Sequence, residues 1–356
     1  MTFLTDSNGN IIKDGKSIFF SIDEFAENIA GNHDRCFICG DSRSIKPFNG
    51  EHILPDWVLR KFKLQTKKII LPNFSEFTYG GYLIPCCKDC NSEMGIFFEE
   101  PISDAFSRGH QGIADFANSS ELNLSKLFVW MCLIYVKTHL KDATLLLERN
   151  LSKSNGKPIS DIYEMRDLHH AYCLARRAYT KATWNPPIMG SMIILPALAP
   201  DKIEKFDYID WTHTSSAMIR IEDVAIIAIF NDCGAVLGKV APIIESIKGP
   251  LSPIQLREVY ANFAYFSSLI EDRPVFTSVT NGEEYIINTE MDKTCKFGKY
   301  NDKDFGLHMY SACHDLILKS DPKAAEVEKE IKRGGYTYLV NSDGSFLDHT
   351  SVFETD

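Results

Sequence analysis

The chain has 356 residues, of which 44% are hydrophobic and 24% are charged, so its composition is that of a globular protein and not of a disordered one. Its formal net charge of −10 argues against a general binder of polyanions, although it allows a local basic face. The start, "MTFLTDSNGN", lacks the basic region of a signal peptide, and the longest apolar runs are too short to span a bilayer, so we expect a soluble, cytoplasmic protein without membrane contacts.

Turn signals and apolar patterns predict the elements of the first half of the chain. "SNGN" and "KDG" predict a small hairpin, and "IDEFAENIA" predicts a short helix after it. Residues 31–115 are rich in Cys, Gly, Pro and turn residues, and the composition changes near residue 120. Beyond that point, residues 123–149 and 160–182 each have the pattern of a helix, with Ser160 or Asp161 as the N-cap of the second.

The second half predicts strands and then mixed elements. Four segments after "NPP" predict consecutive antiparallel strands, namely "IMGSMIILPAL", "SSAMIRIED", "VAIIAIFND" and "AVLGKVA". Residues 252–270 predict a helix with Pro253 in its first turn. The tail predicts two short strands ("PVFTSVT" and "EEYIINT"), a helix ("DPKAAEVEKEIKRGG") and a hairpin ("YLVNSDGSFLDH").

These patterns predict an α+β fold in three parts. An N-terminal hairpin extension covers residues 1–30, and a Cys-rich module covers residues 31–115. A larger α+β domain with long helices and antiparallel strands follows at residues 116–356 and is expected to serve recognition or regulation.

Five of the ten cysteines lie between positions 36 and 90. "CFIC" and "CKDC" form two CxxC pairs about 50 residues apart, a spacing that suits a tetrahedral zinc ion. Four thiolates would close the coordination shell, so the zinc is expected to be structural. Cys86 is an alternative ligand, but Cys87 repeats the spacing of the first pair and is preferred. The expected zinc ligands are Cys36, Cys39, Cys87 and Cys90.

Between the two pairs lies "EHILP", in which Glu51 directly precedes His52 and Pro55 follows. Neighbouring side chains point to opposite faces of a strand, but in the bend that leaves a strand they can converge. If they converge, Glu51 can hold a metal while His52 acts on something bound to it. Asn91 comes directly after the second CxxC pair.

The order "CFIC", "EHILP", "CKDCN" resembles that of the HNH endonucleases, in particular those with a CxxC…CxxC zinc. The resemblance covers residues 33–105. It implies a zinc-stabilised ββα-metal, treble-clef-like module that hydrolyses phosphodiester bonds. His52 then matches the general base, a task that suits the ordinary histidine pKa of about 6.5. Glu51 and Asn91 match the ligands of a catalytic Mg²⁺ or Mn²⁺ ion.

DNA is the expected substrate, with RNA as the alternative. A run of basic residues directly after the Glu-His pair is expected to hold the nucleic-acid backbone, against the competing interpretation of a solvated charged face. It consists of Arg60, Lys61, Lys63, Lys67 and Lys68. Arg176, far along the chain, is expected on a solvated helix face. By analogy with other two-domain HNH proteins, the chain would serve bacterial defence or a mobile element, with a regulatory ligand or partner on its C-terminal domain.

A second hypothesis takes the zinc module as a non-catalytic scaffold that binds nucleic acid or a protein. It is favoured by "TYGGYL", because this segment has no counterpart of the family's central Asn. Glu99, eight residues beyond Asn91, would stand about 12 Å further along a straight helix. It is therefore expected to support the site from outside the metal shell, or to be a surface carboxylate.

Overall fold

The computed structural model describes residues 2–71, 73, 75–148, 150, 152–184, 188–290, 295–317 and 321–354. It is a mixed α+β protein with long helices and antiparallel sheets, as predicted. Within the part of the chain that is described, no helix combines the length and the apolar character that crossing a membrane would require.

The strands form one four-stranded, two three-stranded and two two-stranded sheets among the described residues. In chain order the strands are β1 (Leu4–Thr5), β2 (Ile11–Lys13), β3 (Lys16–Phe19), β4 (Phe48–His52), β5 (Lys68–Ile70), β6 (Glu76–Thr78), β7 (Leu83–Cys87), β8 (Thr183–Trp184), β9 (Met192–Pro196), β10 (Phe206–Trp211), β11 (Ser216–Ile221), β12 (Val224–Ile229), β13 (Val275–Thr280) and β14 (Tyr285–Glu290).

Helices range from single turns to a 22-residue helix. The α-helices are α1 (Ile22–Glu24), α2 (Asp56–Lys61), α3 (Lys88–Met94), α4 (Glu100–Phe106), α5 (Gly109–Asn118), α6 (Glu121–Asp142), α7 (His169–Ala175), α8 (Arg177–Thr180), α9 (Ala235–Ser246), α10 (Pro253–Ser268), α11 (Asp302–Cys313), α12 (Ala324–Arg333) and α13 (Thr350–Glu354). Turns of 3₁₀-helix occur at Tyr79–Gly81, Ile159–Ile162, Met165–Leu168 and Thr212–Thr214, and π-helical turns at Phe25–Ile29 and Gly95–Glu99.

The chain divides into two units of dense internal packing. Unit 1 contains residues 1–105, 117–188 and 276–290, and unit 2 contains residues 106–116, 189–275 and 291–356. The Cys-rich module predicted at residues 31–115 lies mostly in unit 1, but that unit also includes α6 to α8 and the strand β14. The boundary predicted near residue 115 falls within the segment 106–116, which belongs to unit 2.

Unit 1 is organised around α6, which is buried on all sides for most of its length. The apolar run "LFVWMCLIYV" explains this, because a helix that is hydrophobic all round needs other elements on every face. Ser120 begins the helix by accepting a hydrogen bond from the main-chain nitrogen of Asn123. The helix ends at Asp142, earlier than the predicted residue 149, which lies outside the described residues.

Unit 2 is built on the antiparallel sheet β10-β11-β12-β9. Every residue of β11 and β12 is buried, so both faces of the two central strands are covered. The predicted helix at residues 252–270 is confirmed as α10, which packs against this sheet with a capping box formed by Ser252 and Gln255 and with Pro253 at its first position. The strands predicted at "PVFTSVT" and "EEYIINT" are confirmed as β13 and β14.

Two predicted elements are wrong. "AVLGKVA" begins the helix α9 and is not a strand, and its buried residues Val236 and Val240 are four apart, which is the spacing of one helix face. Asp232 stabilises the start of α9 by accepting from the main-chain nitrogen of Val236. The continuous helix predicted at 160–182 is instead two 3₁₀ turns followed by α7 and α8, so the predicted N-cap at Ser160 or Asp161 is also wrong.

Gly306 in α11 provides a test of the packing in unit 2. A Cβ added there would lie 2.2 Å from the main-chain oxygen of Ile331, so we expect Gly306→Ala to destabilise the protein by about 1–3 kcal/mol. Gly238 in α9 has nothing within 4 Å of such an atom, so Gly238→Ala should leave stability unchanged or raise it by up to about 1 kcal/mol. Urea unfolding of both variants measures this difference, and equal midpoints would contradict the close approach of α11 and α12.

Candidate metal centre and active site

The site forms where two antiparallel strands meet a helix. β4 pairs with β7, with Asn49 opposite Cys86 and His52 opposite Leu83. The helix α3 follows β7 without a break, and helical structure continues from Lys88 to Phe106 through the π-helical turn at Gly95–Glu99. The β4–β7 strand pair and the helix α3 thus bring the two halves of the sequence motif together.

The four predicted zinc ligands form one cluster. Cys36, Cys39, Cys87 and Cys90 are buried, and their four sulfur atoms all lie within 4.8 Å of one another. The sulfur atoms of Cys39 and Cys87 are 3.8 Å apart. Tetrahedral zinc with bonds of about 2.3 Å places its sulfur ligands about 3.8 Å apart, so the cluster fits a zinc ion that has no position left for substrate.

Cys86 is a fifth buried thiol beside this cluster. Its sulfur lies 3.9 Å from that of Cys36, but it does not belong to the group of four. The grouping therefore favours Cys87 over Cys86, as the spacing of the two CxxC pairs does. Hydrogen bonds from the thiols of Cys39, Cys86 and Cys90 lower the pKa of Cys36, and the same contacts raise the pKa values of those three thiols. The crowded sulfurs therefore favour a single thiolate, at Cys36.

The loop between Cys36 and Cys39 is held from outside the motif. The Tyr172 hydroxyl donates to the main-chain oxygen of Phe37 at 2.7 Å, and Nε of Arg176 donates to that of Ile38 at 2.6 Å. Arg176 is 1% exposed and lies over the ring of Phe20, so its predicted place on a solvated helix face is wrong. Its guanidinium replaces the water that these buried carbonyl groups would otherwise need.

Glu51 and His52 are the last two residues of β4. Strand geometry directs consecutive side chains to opposite faces, and the two residues differ in exposure accordingly: Glu51 is buried, whereas His52 is half-buried. A third residue joins them. Nζ of Lys137 in α6 donates to Oε1 of Glu51 at 2.6 Å and to the main-chain oxygen of His52 at 2.8 Å.

The side chain of Asn91 is directed toward the same pair of strands. Its Nδ2 donates to Oδ1 of Asn49 at 3.2 Å, on the exposed side of the site. Asn49 and Glu51 are two residues apart in β4 and so share one face of the strand. That face therefore combines a carboxylate with carboxamide oxygens, which are hard ligands of the kind that Mg²⁺ and Mn²⁺ prefer.

Glu99 interacts electrostatically with residues of this site. It ends the π-helical turn after α3 and is half-buried. Burial raises the pKa of Glu99 to about 7; the charge of Lys137 opposes this rise, and the carboxylates of Glu51 and Asp56 add to it. These interactions place Glu99 in the electrostatic environment of Lys137, so it is not simply a surface carboxylate.

The five basic residues after the Glu-His pair are all exposed. Arg60 pairs with Asp56 one turn away, and Lys68 pairs with Glu76 on the neighbouring strand at 2.5 Å. An exposed pair of this kind contributes little to stability, but it offsets the charge that a phosphate would meet. The positive potential of the run is therefore reduced at Arg60 and Lys68.

The sequence did not identify Lys137 or Asn49 as residues of the site. Lys137 directly follows the apolar run of α6, and a cation at the end of a fully buried helix segment is a signal that it has an acidic partner. The partner's identity needs the tertiary structure, because Glu51 is 86 residues away. Asn49 precedes Glu51 by two residues, so strand alternation could have placed it on the same face.

The cysteine cluster predicts about one tightly bound zinc per chain. Cys36→Ser or Cys90→Ser should lose that zinc together with the structure of residues 30–105, because zinc contributes on the order of 10 kcal/mol in small structural sites. Cys86→Ala is the matched control, since it removes a buried thiol outside the group of four, and it should keep the metal. Elemental analysis and circular dichroism measure both effects; folded protein without zinc would contradict the assignment.

Comparison of the chain with known protein families, curated proteins and solved structures finds no match. The resemblance to HNH endonucleases therefore depends on the residues themselves, in the order and spacing described above.

Proposed function

We propose that the protein is a metal-dependent HNH endonuclease, with a ββα-metal module in unit 1 that is braced by a structural zinc. The observation that carries this proposal is the position of Glu51 and His52 at the end of β4, in a strand pair that also carries Asn49, the hydrogen-bond partner of Asn91 on α3, and Cys87 of the cluster. β4, β7 and α3 come in the order strand, strand, helix along the chain, with α2, β5 and β6 between the two strands, and strand, strand, helix is the order that the proposed module needs.

In the proposed reaction His52 is the general base, which accepts the proton of the attacking water. Its half-buried position keeps the imidazole accessible to solvent. Oε2 of Glu51 and Oδ1 of Asn91 would hold a Mg²⁺ or Mn²⁺ ion, because Oε1 already binds Lys137 and Nδ2 already binds Asn49. Such an ion, when bound, supplies electrostatic stabilisation to the scissile phosphate and to the departing 3′ oxygen.

The proposed substrate is DNA, with RNA as the alternative, and the products carry 5′-phosphate and 3′-hydroxyl ends. The exposed basic run would contact the phosphate backbone. Because the chain as a whole is acidic and has one basic segment, its nuclease activity would be low until a trigger acts, as in proteins of bacterial defence or mobile elements. In this proposal residues 116–356 supply recognition or regulation through a ligand or a partner.

A non-catalytic zinc module that binds nucleic acid or protein is the second candidate. The Glu51–Lys137 pair favours it, because a carboxylate already bound to an ammonium attracts a divalent cation less strongly. Incubation of plasmid DNA and of RNA with the protein and Mg²⁺ or Mn²⁺, with EDTA as the control, distinguishes the candidates. Metal-dependent cutting supports the nuclease, and binding without cutting supports the module.

His52→Ala should reduce cleavage by about 10²- to 10⁴-fold, the usual contribution of a general base, while zinc content and DNA affinity persist. His33→Ala is the matched control, because His33 is an exposed histidine of the same unit, and it should cleave normally. Glu51→Gln should differ from both, since added Mn²⁺ should restore part of its activity. Wild-type cleavage by His52→Ala would refute the proposed mechanism.

Replacing Lys61, Lys63 and Lys67 by Ala should weaken DNA binding and flatten its salt dependence, by about one unit of slope for each lost phosphate contact. The rate of cutting at saturating DNA should change much less, because these residues are assigned to binding. The control is the replacement of Lys299, Lys303 and Lys329, three exposed lysines of unit 2, which alters net charge equally. A first triple variant with wild-type affinity and wild-type salt slope would identify the run as a solvated face.

A further inference from the structure

Lys137 is a buried cation in the middle of unit 1. It is 2% exposed and belongs to α6, directly after an apolar run. Removing an ammonium group from water costs several kcal/mol in a real protein, and an ion pair repays this only when its geometry is good. A buried pair that serves stability alone gains little over well-packed apolar residues, so the position of Lys137 needs a further reason.

The two acceptors of Lys137 are consecutive residues of the proposed active site. Its ammonium donates to the side chain of Glu51 and to the main chain of His52. The first bond fixes the direction of the carboxylate and leaves one oxygen, Oε2, for a cation. The second bond fixes the peptide from which the imidazole projects, at the end of β4, where β-sheet pairing stops and the chain continues into α2.

The charges around Lys137 agree with this role. Glu51 is its direct partner, and Glu99 interacts with it electrostatically, whereas Asp56 has its own partner in Arg60. Because Lys137 is almost fully buried, it has no surface with which to touch a nucleic acid. It can act on the reaction only through Glu51 and His52.

We propose that Lys137 is a positioning residue for the cleavage reaction, holding Glu51 and His52 in register through one ammonium group. This inference rests on the proposed nuclease function. In this proposal α6 contributes to the active site, although it lies outside the residues that resemble the HNH motif. Its charge opposes the binding of the divalent cation, so Lys137 improves alignment at the expense of metal affinity.

The test is Lys137→Gln in the full-length, zinc-loaded protein, with cleavage measured over a range of DNA and Mn²⁺ concentrations. We expect kcat to fall by about 10- to 100-fold, as for outer residues that orient ligands, with little change in KM for DNA. Calorimetry without DNA should show Mn²⁺ bound at least as tightly as by the wild type, because a nearby positive charge is gone. Lys137→Arg, which keeps the charge, should recover part of the lost kcat.

Lys126→Met is the control on the same helix, since the ammonium of Lys126 lies over the ring of Phe97 and not on Glu51 or His52, and it should cleave as the wild type does. Rates are expressed per zinc-loaded, folded molecule, so that loss of stability is counted separately. If Lys137→Gln does not fold, Lys137→Met replaces it, because methionine fills a buried position without an ammonium group, and a wild-type kcat in Lys137→Met would overturn the positioning role.

The outcomes separate this inference from the proposed function. A wild-type protein that cuts neither DNA nor RNA overturns both. A wild type that cuts and a Lys137→Gln variant with the same kcat overturn only the role of Lys137. If the loss of kcat is explained by lost zinc or by unfolding, the role of Lys137 is structural. If Mn²⁺ affinity falls by the same factor as kcat, the loss is due to weaker metal binding by Glu51 and not to poorer alignment of Glu51 with His52.

Discussion

Four buried thiols within 4.8 Å of one another are the constraint on which the rest of the candidate site depends. They connect the loop at Cys36 and Cys39 to the point where β7 becomes α3. A metal ion bound by these thiols would fix this junction in addition to the packing of the strands and the short helix within unit 1. With that junction fixed, the pairing of β4 with β7 determines where Glu51 and His52 stand.

A second constraint is the desolvation cost of two deeply buried cations, Arg176 and Lys137, whose charged ends lie inside unit 1. Arg176 donates to the main-chain oxygens of Ser17 and Ile38, and Lys137 donates to the main-chain oxygen of His52. Burial of a charge is tolerated only when hydrogen bonds satisfy it. The helices after residue 117 are therefore tied to the motif by hydrogen bonds as well as by apolar packing, and a piece ending near residue 115 would lose both cations.

The sequence predicted the local chemistry of the site better than its surroundings. Cysteine spacing identified all four members of the cluster, because the short CxxC loop leaves few ways to present two thiols to one ion. The burial of α6 also followed from its composition. The residues that α6 contacts could not be predicted in this way, because periodicity indicates which residues are buried but not which residues they pack against. "AVLGKVA" shows another limit: its short apolar run suits a strand as well as a helix. The hydrogen bond from the main-chain nitrogen of Val236 to Asp232, four residues earlier, is a local signal of a helix start that the apolar pattern alone does not show.

The charge balance around Glu51 bears on how an acidic protein could approach a polyanion. A free carboxylate at the end of β4 would repel the phosphate that the proposed reaction requires. Lys137 neutralises Glu51 from inside the protein, and Glu99, with a pKa of about 7, is in part uncharged near neutral pH. The site therefore presents little net negative charge even though the chain as a whole carries −10. In the proposed reaction the same internal neutralisation would weaken the attraction for a divalent cation, so substrate approach and metal affinity would be opposed, with Lys137 setting the balance between them.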